Sequence, residues 1–444
     1  MNHSQDGLRQ RHKKKSIIKS AISSTSQKFQ SLSLKTKCLF VLLAFTLLVA
    51  YIIMLWYQVT NRLREFTYIQ ADTCPACYGS SICLALFRGD AHFTGMLSKI
   101  RSFDYLNSKN FHYGKLNGKE VVLKKLVADD VLKDLDDKIC RSARRTPGCD
   151  VARVVVKADF VSQVRQHELE VDHLKGVNDM FYCPSRRLLD RLLKYYLEKY
   201  SYEAPYFYAV DKIQILITAM ISSEPLMLQT FPASQGWPFP SYIGACGRFV
   251  LLENCGESLQ NFHQASLKKR YDLAYQVMKI ANFLAENPSN FSLYWTSLKP
   301  SDFVVDQNGH VKFVDLKNII VVDKEEYKEV ANTGKPKTFE AIFTECENFC
   351  PPTPTNELCN HLSSDWNIYL ACRHVLSEHA TDPAMKGGLL HDMSHAALDD
   401  WDMRFLIKEC TSPTTKGGRI KSIHRLLHTL DSLRNGKEQH PVNI

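Results

Sequence analysis

The sequence predicts a disulfide-rich α+β protein of two lobes, preceded by one N-terminal transmembrane helix. Three observations support this fold class. One uncharged apolar stretch lies near the N-terminus, thirteen cysteines follow it, and helix and strand patterns of ordinary globular length alternate through the rest. The 444 residues leave room for a two-lobed domain or for two or three small domains, and 45% of them are hydrophobic, as in globular proteins.

Residues 1–37 form a basic tail with nine Lys or Arg and one Asp. The net charge of the whole chain is +9, of which the tail contributes +8, so the rest carries only +1. This near balance argues against a nucleic-acid-binding surface. The tail is expected to be cytosolic, because basic residues flank the following apolar segment on its N-terminal side.

Residues 38–57 are predicted to be a signal-anchor, since 20 residues without a charge are long enough to span a bilayer as a helix. The C-terminal bulk of the chain would then lie in the lumen of the endoplasmic reticulum or Golgi. A cleaved signal peptide, which would release a secreted protein, is the alternative. Trp56 and Tyr57 at the end of the stretch favour the anchor, because such residues are typical of membrane interfaces.

Beyond the anchor we expect a lumenal stem with a Cys-rich segment at 58–90, an atypical N-lobe at 91–253 and a C-lobe at 254–444. An oxidising lumen makes disulfides the expected state of the thirteen cysteines, and the odd number leaves one thiol unpaired or available between chains. Cys74 and Cys77 have a Cys-x-x-Cys spacing, for which zinc or a redox dithiol is the alternative to a structural disulfide. A zinc site would need a matching second pair, which is absent.

Two short strands that end in a lysine are predicted, at 121–124 and 154–157. A lysine at the end of a buried strand is a candidate for binding phosphates; the alternative is an amphipathic strand with Lys124 in solvent. No Gly-x-Gly-x-x-Gly precedes either lysine, so no glycine-rich phosphate loop is predicted. The acidic partner of such a lysine stays open among Asp136, Glu168 and other residues.

Residues 237–253 predict two strands around a glycine turn, with Glu253 at the end of the second. Asn-Cys-Gly at 254–256 interrupts the pattern. A long amphipathic helix follows at 268–286, and Asn290 then begins an Asn-Phe-Ser sequon for glycosylation, which is meaningful only if this side is lumenal.

The segment 298–316 predicts a β-hairpin. Phe303–Val305 has the composition of a short strand, Asn-Gly at 308–309 is the strongest short-range hairpin signal, and 311–314 has the pattern of the return strand. Asp302 precedes the first strand and Asp315 ends the second. A hairpin of this form is expected to place both carboxylates on one rim, facing one bound ion.

These segments resemble a protein kinase, because hinge, long helix, catalytic loop and acidic strand end follow in the order found there. In this resemblance, Ser297 takes the position of the catalytic Asp and Lys299 that of the catalytic-loop lysine. Asp302 takes the position of the metal-binding Asn, and Asp315 that of the Asp in Asp-Phe-Gly. The spacings of five and thirteen residues need no insertion.

Four distinctive segments are similar to the divergent protein kinase domain family, deleted-in-autism branch. They are residues 74–83, 183–191, 235–249 and 387–392. The resemblance implies a Cys-rich, kinase-like fold in the secretory pathway and selects Lys124 as the phosphate-binding lysine and Glu253 as part of the nucleotide-binding hinge. It also implies ATP or ADP with Mg²⁺ or Mn²⁺, held by Asp302 and Asp315. Members with an intact loop have Asp where this chain has Ser297.

Three functions follow from these observations. The first is a membrane-anchored lumenal pseudokinase that binds a secretory-pathway or cell-surface protein, since a serine cannot replace the carboxylate base. The second is a weak or atypical kinase for secretory proteins. The third is a Golgi glycosyltransferase, for which Asp134-Leu135-Asp136 has the Asp-x-Asp form. In the third case a solvated helix face is the alternative explanation of the tripeptide.

Overall fold

The computed structural model describes residues 34–60, 62–94, 111–183, 185–200, 207–330, 337–341, 353–380 and 382–436. The first helix, α1, spans Leu34–Thr60 and includes the predicted anchor, while most of the predicted basic tail lies outside the described residues. A search of the described part of the chain finds no helix long and apolar enough to cross a membrane. The anchor at 38–57 therefore stays a prediction.

The N-lobe is built on a five-stranded antiparallel sheet in the order β1-β2-β3-β5-β4. Its strands are β1 (Ala91–Phe93), β2 (Phe111–Leu116), β3 (Lys119–Lys124), β4 (Tyr242–Cys246) and β5 (Phe249–Glu253). Asn117 and Gly118 have φ values of 50° and 80°, as a two-residue hairpin between β2 and β3 requires. The predicted strands at the lysine and at the hinge are thus both present.

The Cys-rich segment packs against this sheet through the short helices α2 (Phe66–Ile69) and α3 (Cys83–Arg88). Tyr78 N donates to Gly247 O at 2.9 Å, Gly247 N donates to Gly79 O at 2.8 Å, and a disulfide joins Cys83 to Cys246. A β-carbon on Gly247 would come within 2.1 Å of Ile69 O. The segment is therefore packed as part of the N-lobe at these residues.

A helical insertion separates β3 from β4. It contains α4 (Asp129–Ser142), α5 (Val151–Val154), α6 (Asp159–Gln166), α7 (Val171–Leu174), α8 (Arg186–Tyr200), α9 (Ala209–Ile221) and α10 (Glu224–Thr230). Residues 154–157 belong to α5 and to a 3-10 turn, so the expectation of a strand ending at Lys157 is wrong. Asp150 caps α5 by accepting a hydrogen bond from the amide of Arg153, and this cap favours a helix over the strand that the β-branched run suggests.

The C-lobe combines three small sheets with helices. Its strands are β6 (Glu257–Ser258), β7 (Phe291–Trp295), β8 (Phe303–Val305), β9 (Val311–Phe313), β10 (Ile319–Asp323), β11 (Thr338–Phe339) and β12 (Ser363–Ser364). Its helices are α11 (Leu267–Ala285), α12 (Lys324–Val330), α13 (Thr355–Cys359), α14 (Trp366–Ala371), α15 (Met403–Thr411) and α16 (Gly418–Arg434). β6, β8 and β9 form one sheet, β7 pairs with β10, and the smallest sheet is the parallel pair of β11 and β12. The predicted long helix and hairpin are both confirmed.

Five disulfides are present among the described cysteines: Cys74–Cys77, Cys83–Cys246, Cys140–Cys149, Cys183–Cys359 and Cys372–Cys410. The Cys74–Cys77 bond excludes zinc coordination by these two residues in this state. Beyond the first helix, Cys255 is the described cysteine without a disulfide. The prediction of a disulfide-rich protein is therefore confirmed in the described residues.

Candidate nucleotide-binding cleft

Lys124, the last residue of β3, forms an ion pair with Glu224. Its Nζ lies 2.7 and 2.8 Å from the two carboxylate oxygens, and 3.4 Å from Val314 O. Glu224 begins α10 and is 1% exposed. Burial raises the pKa of Glu224, and Lys124 opposes that rise. The pair joins the N-lobe sheet to the strand end that carries Asp315.

The sequence did not identify Glu224 as the partner of Lys124. Of the residues considered, Asp136 forms a different ion pair, with Arg248. One signal was available: Glu224 is an acidic residue between the apolar helix α9 and the apolar remainder of α10. A carboxylate in such a stretch is seldom buried without a cationic partner.

Asp302 and Asp315 lie on one rim of the β8–β9 hairpin. Phe303 pairs with Phe313, and Val314 N donates to Asp302 O at 2.8 Å. Burial raises the pKa of Asp302 to about 6, with a further contribution from the charge of Asp315 and an opposing one from Lys299 N. A cation bound next to both carboxylates would relieve the repulsion that Asp315 exerts on ionised Asp302.

Ser297 and Lys299 are exposed in the loop between β7 and β8. Lys299 N donates to Asp302 Oδ2 at 2.7 Å, so the loop backbone orients one of the two carboxylates. Ser297 supplies a hydroxyl where a kinase has its catalytic carboxylate. A nearby carboxylate, Asp179, accepts a hydrogen bond from Thr296 Oγ1 at 2.8 Å and is therefore directed at the neighbouring residue.

The strand β7, which leads into this loop, is held by hydrogen bonds to α14. Trp295 N donates to Asn367 Oδ1 at 3.0 Å, and Asn367 Nδ2 donates to Leu293 O at 2.8 Å. Trp366 Nε1 donates to Trp295 O at 2.7 Å. Asn367 is fully buried, so its amide needs these hydrogen bonds, as buried polar groups do. Sequence analysis missed Asn367, because nothing local distinguishes it from a core position of the helix.

Glu253 does not lie with the other candidate site residues. Its carboxylate accepts hydrogen bonds from Lys312 Nζ at 2.8 Å and from Ser241 Oγ at 2.7 Å. These bonds lower the pKa of Glu253 although its partial burial opposes the change. The side chain is therefore part of an ion pair beneath the hinge. Any hinge contact to a nucleotide base would come from the backbone.

A cleft of about 780 Å³ opens beside the hinge and extends to the hairpin turn. It is lined by Tyr113, Asn254, Gly256, Glu257, Phe262, Lys269 and the segment 305–309. Gly256 has a φ of 97°, and a β-carbon there would come within 2.0 Å of Val305 O. The hinge therefore needs glycine to approach the hairpin this closely. Residues 95–110, between β1 and β2 in the sequence, lie outside the described residues.

Comparison with known proteins matches residues 216–413 to the family model described as the protein-kinase domain of FAM69. The chain is 35% identical over 388 residues to Divergent protein kinase domain 2A of Xenopus tropicalis, covering 84% of this chain and 90% of that protein. The Homo sapiens 2A protein is 34% identical with the same coverage, and Divergent protein kinase domain 2B of Mus musculus is 29% identical over 70% of this chain and 73% of its own length. The chain belongs to the divergent protein kinase domain 2 family. The resemblance found in the sequence is confirmed.

Within this family fold, the residues that would hold a divalent cation are Asp302 and Asp315. No group of three or more His, Cys, Asp or Glu forms a metal site among the described residues. Two carboxylates fit Mg²⁺ or Mn²⁺ when phosphate oxygens complete the coordination, as Mg²⁺ commonly requires. Lys124 would contact the phosphates from the other side. These side chains thus fit a metal–nucleotide complex, and the binding of that complex remains a prediction.

Two other candidate sites have structural contacts of their own. Asp136, from the Asp-x-Asp tripeptide, lies on α4 and pairs with Arg248, which is 2% exposed. Asn290 lies in the turn before β7 with a φ of 59°, and its Nδ2 donates to Glu325 at 2.5 Å. Ser292 of the sequon is buried and donates to Ala285 O at 2.8 Å. Glycosylation of Asn290 stays a prediction. It would have to occur before the turn folds and Asn290 and Ser292 form these hydrogen bonds.

Proposed function

We propose that this member of the divergent protein kinase domain 2 family is a membrane-anchored lumenal pseudokinase that binds ATP or ADP with Mg²⁺ or Mn²⁺. The observation that carries the proposal is a contrast between neighbouring residues, which lie outside the lining of the 780 Å³ cleft beside the hinge. Lys124–Glu224 and the pair Asp302/Asp315 form a charged frame for phosphates, whereas Ser297 has no carboxylate.

The residues support binding more than turnover. Lys124 is positioned by Glu224 and by Val314 O, and Lys299 N orients Asp302. A bound divalent cation would neutralise phosphate charge between Asp302 and Asp315. A serine hydroxyl does not accept the substrate proton at neutral pH, and the absence of a general base costs about 10²–10⁴-fold in rate.

The proposed location rests on the disulfides and on the apolar stretch 38–57. Cysteines joined in this way are typical of an oxidising compartment, so we place the domain in the lumen of the Golgi or endoplasmic reticulum, or outside the cell if the anchor is cleaved. There it would act by binding a secretory-pathway or cell-surface protein. The charge balance of the domain gives no support to a nucleic-acid partner.

A weak kinase is the second candidate, and the intact Lys124–Glu224 ion pair favours it, because active protein kinases need that pair in place. The pairing of Asp136 with Arg248 and the kinase-like family both argue against a Golgi glycosyltransferase.

Phosphotransfer measured on the full chain in detergent separates the two candidates. The parent protein, Ser297→Asp and Lys124→Met are incubated with labelled ATP and Mg²⁺ or Mn²⁺, and released or transferred phosphate is counted. The pseudokinase proposal expects the parent to equal Lys124→Met, and Ser297→Asp to rise above both. Turnover by the parent well above Lys124→Met would establish the weak kinase instead.

A further inference from the structure

Residues 141–148, which we name the arginine loop, comprise the last two residues of α4 and the turn after it, and they carry three exposed arginines. Arg141, Arg144 and Arg145 are all exposed. Among the described residues, no carboxylate forms an ion pair with any of the three. The nearest acidic residues in the sequence are engaged elsewhere: Asp136 pairs with Arg248, and Asp137 accepts a hydrogen bond from Gly148 N. The three guanidinium groups therefore form a small basic surface beside these carboxylates.

The arginine loop is rigidly built. A disulfide joins Cys140 to Cys149 across its ends. Arg145 N donates to Cys140 O at 2.8 Å, and Gly148 N donates to Asp137 Oδ1 at 3.2 Å. Asp159 N donates to Ser142 Oγ at 2.9 Å, which fixes the loop against α6. A surface whose backbone is already ordered loses less entropy when it binds a ligand.

Arg144 has a φ of 56°, in the left-handed position that follows α4. Glycine or asparagine is the usual residue there, because a β-carbon is disfavoured in this conformation. Local backbone geometry therefore does not explain an arginine at this position. Its side chain is exposed and its guanidinium is available for contact.

The charge of this region differs from that of the domain. Outside residues 1–37 the chain carries only +1. Between 141 and 157 there are five cationic residues and one acidic residue, Asp150, which pairs with Arg153. Residues 129–140, just before them, carry five Asp and two Lys, so the excess of positive charge begins at Arg141.

We propose that the arginine loop binds sulfated glycosaminoglycan chains. Guanidinium groups donate paired hydrogen bonds to tetrahedral oxyanions, and several on one rigid turn match the repeated sulfates of such a polymer. The loop, Arg-Ser-Ala-Arg-Arg-Thr-Pro-Gly, has no aromatic side chain that would serve as the buried centre of a protein interface. The physiological part of this proposal rests on the lumenal or extracellular location proposed above, where sulfated polymers are present.

The test is the affinity of the full chain in detergent for heparin, compared with fully desulfated heparin and with phosphatidylserine vesicles. The variant is Arg141→Gln/Arg144→Gln/Arg145→Gln. The matched control removes the same charge from three exposed lysines of the C-lobe, Lys408→Gln/Lys416→Gln/Lys421→Gln. Both variants keep residues 1–37, so the basic tail contributes equally to all three proteins.

The arginine-loop variant is expected to bind heparin roughly tenfold more weakly, with a flatter salt dependence, because fewer counterions are released. The control should remain within about twofold of the parent. Equal losses in the two variants, equal binding of desulfated heparin, or a preference of the loop for vesicles would each overturn the proposal. Heparin binding needs no nucleotide, so failure of the pseudokinase assignment leaves this test unaffected.

Thermal unfolding of the variant, with its Cys140–Cys149 bond verified by mass, shows whether the substitutions disturb the fold. If the triple variant is unstable, Arg141→Gln/Arg145→Gln retains the residue in the left-handed position and gives the same comparison. An unchanged affinity in that folded double variant would also overturn the proposal.

Discussion

Replacing Asp302 by Asn is expected to change how the stability of the protein depends on pH. Asp302 is 8% exposed, and burial, with the charge of Asp315, raises its pKa from 3.8 to about 6. The folded state therefore binds the proton more tightly than the unfolded state. The stability that this group contributes is present below about pH 4 and is lost as the pH rises through about 6.

The size of the effect follows from the pKa shift. Roughly two pKa units correspond to about 3 kcal/mol between full protonation and full ionisation. Between about pH 4.5 and about pH 7.5, roughly 2 kcal/mol of this change is expected. Asn has nearly the same shape, and its Oδ1 can still accept the hydrogen bond from Lys299 N, so the comparison mainly removes the titrating charge.

The assay is urea unfolding of the full chain in detergent and EDTA, with disulfides intact, for the parent and Asp302→Asn at matched pH. The stability of the variant relative to the parent should rise by about 2 kcal/mol over the stated pH range. Other titrating groups, such as His374, whose burial lowers its pKa to about 4, affect both proteins and cancel. A difference that is flat or falls with pH would refute the reasoning.

Asp306→Asn provides a control of opposite sign. Burial opposes the shift, but hydrogen bonds from the backbone of His310 and Asn308 lower the pKa of Asp306 overall. Its contribution to stability is therefore present at neutral pH and is lost as the pH falls. Relative to the parent, this variant should lose stability as the pH rises.

Three further outcomes are expected. Asn367→Ala should cost about 2–4 kcal/mol, because it leaves buried backbone groups at the catalytic-like loop unpaired, whereas exposed Asn356→Ala should change the urea midpoint little. Arg419→Met should cost about 3–5 kcal/mol, because its ion pair with Asp365 is buried at 0% and 2% exposure; adding Asp365→Asn should recover part of the loss. Ser292→Ala should abolish any glycan on Asn290 in cells, seen as a faster-migrating band that glycosidase no longer changes.

The hairpin could be predicted because its signals are local. Asn308-Gly309 specifies the turn, and the short apolar strands on both sides fix the register, so Asp302 and Asp315 were placed on one rim from sequence alone. The same holds for the long helix α11, whose apolar face is periodic. In each case neighbouring residues determine the structure.

Contacts between distant segments could not be predicted in this way. Glu224 pairs with Lys124 although 100 residues separate them in the sequence. The spacing of the kinase-like motifs does not indicate the helical insertion that lies between them. The disulfide pairings are likewise not deducible from spacing. The β-branched run at 154–157 shows the converse, since capping by Asp150 and packing favour a helix there over the strand suggested by propensity.

The most direct test of nucleotide binding is thermal unfolding of the full chain with ATP and Mg²⁺ or Mn²⁺, beside Asp315→Asn and the control Asp190→Asn, whose carboxylate is exposed on α8. Bound nucleotide at a hundredfold excess over its Kd stabilises the folded state by about 2.7 kcal/mol. We expect a higher melting temperature for the parent and for Asp190→Asn, and none of this increase for Asp315→Asn. A parent protein that melts at the same temperature with and without saturating nucleotide and metal would contradict it.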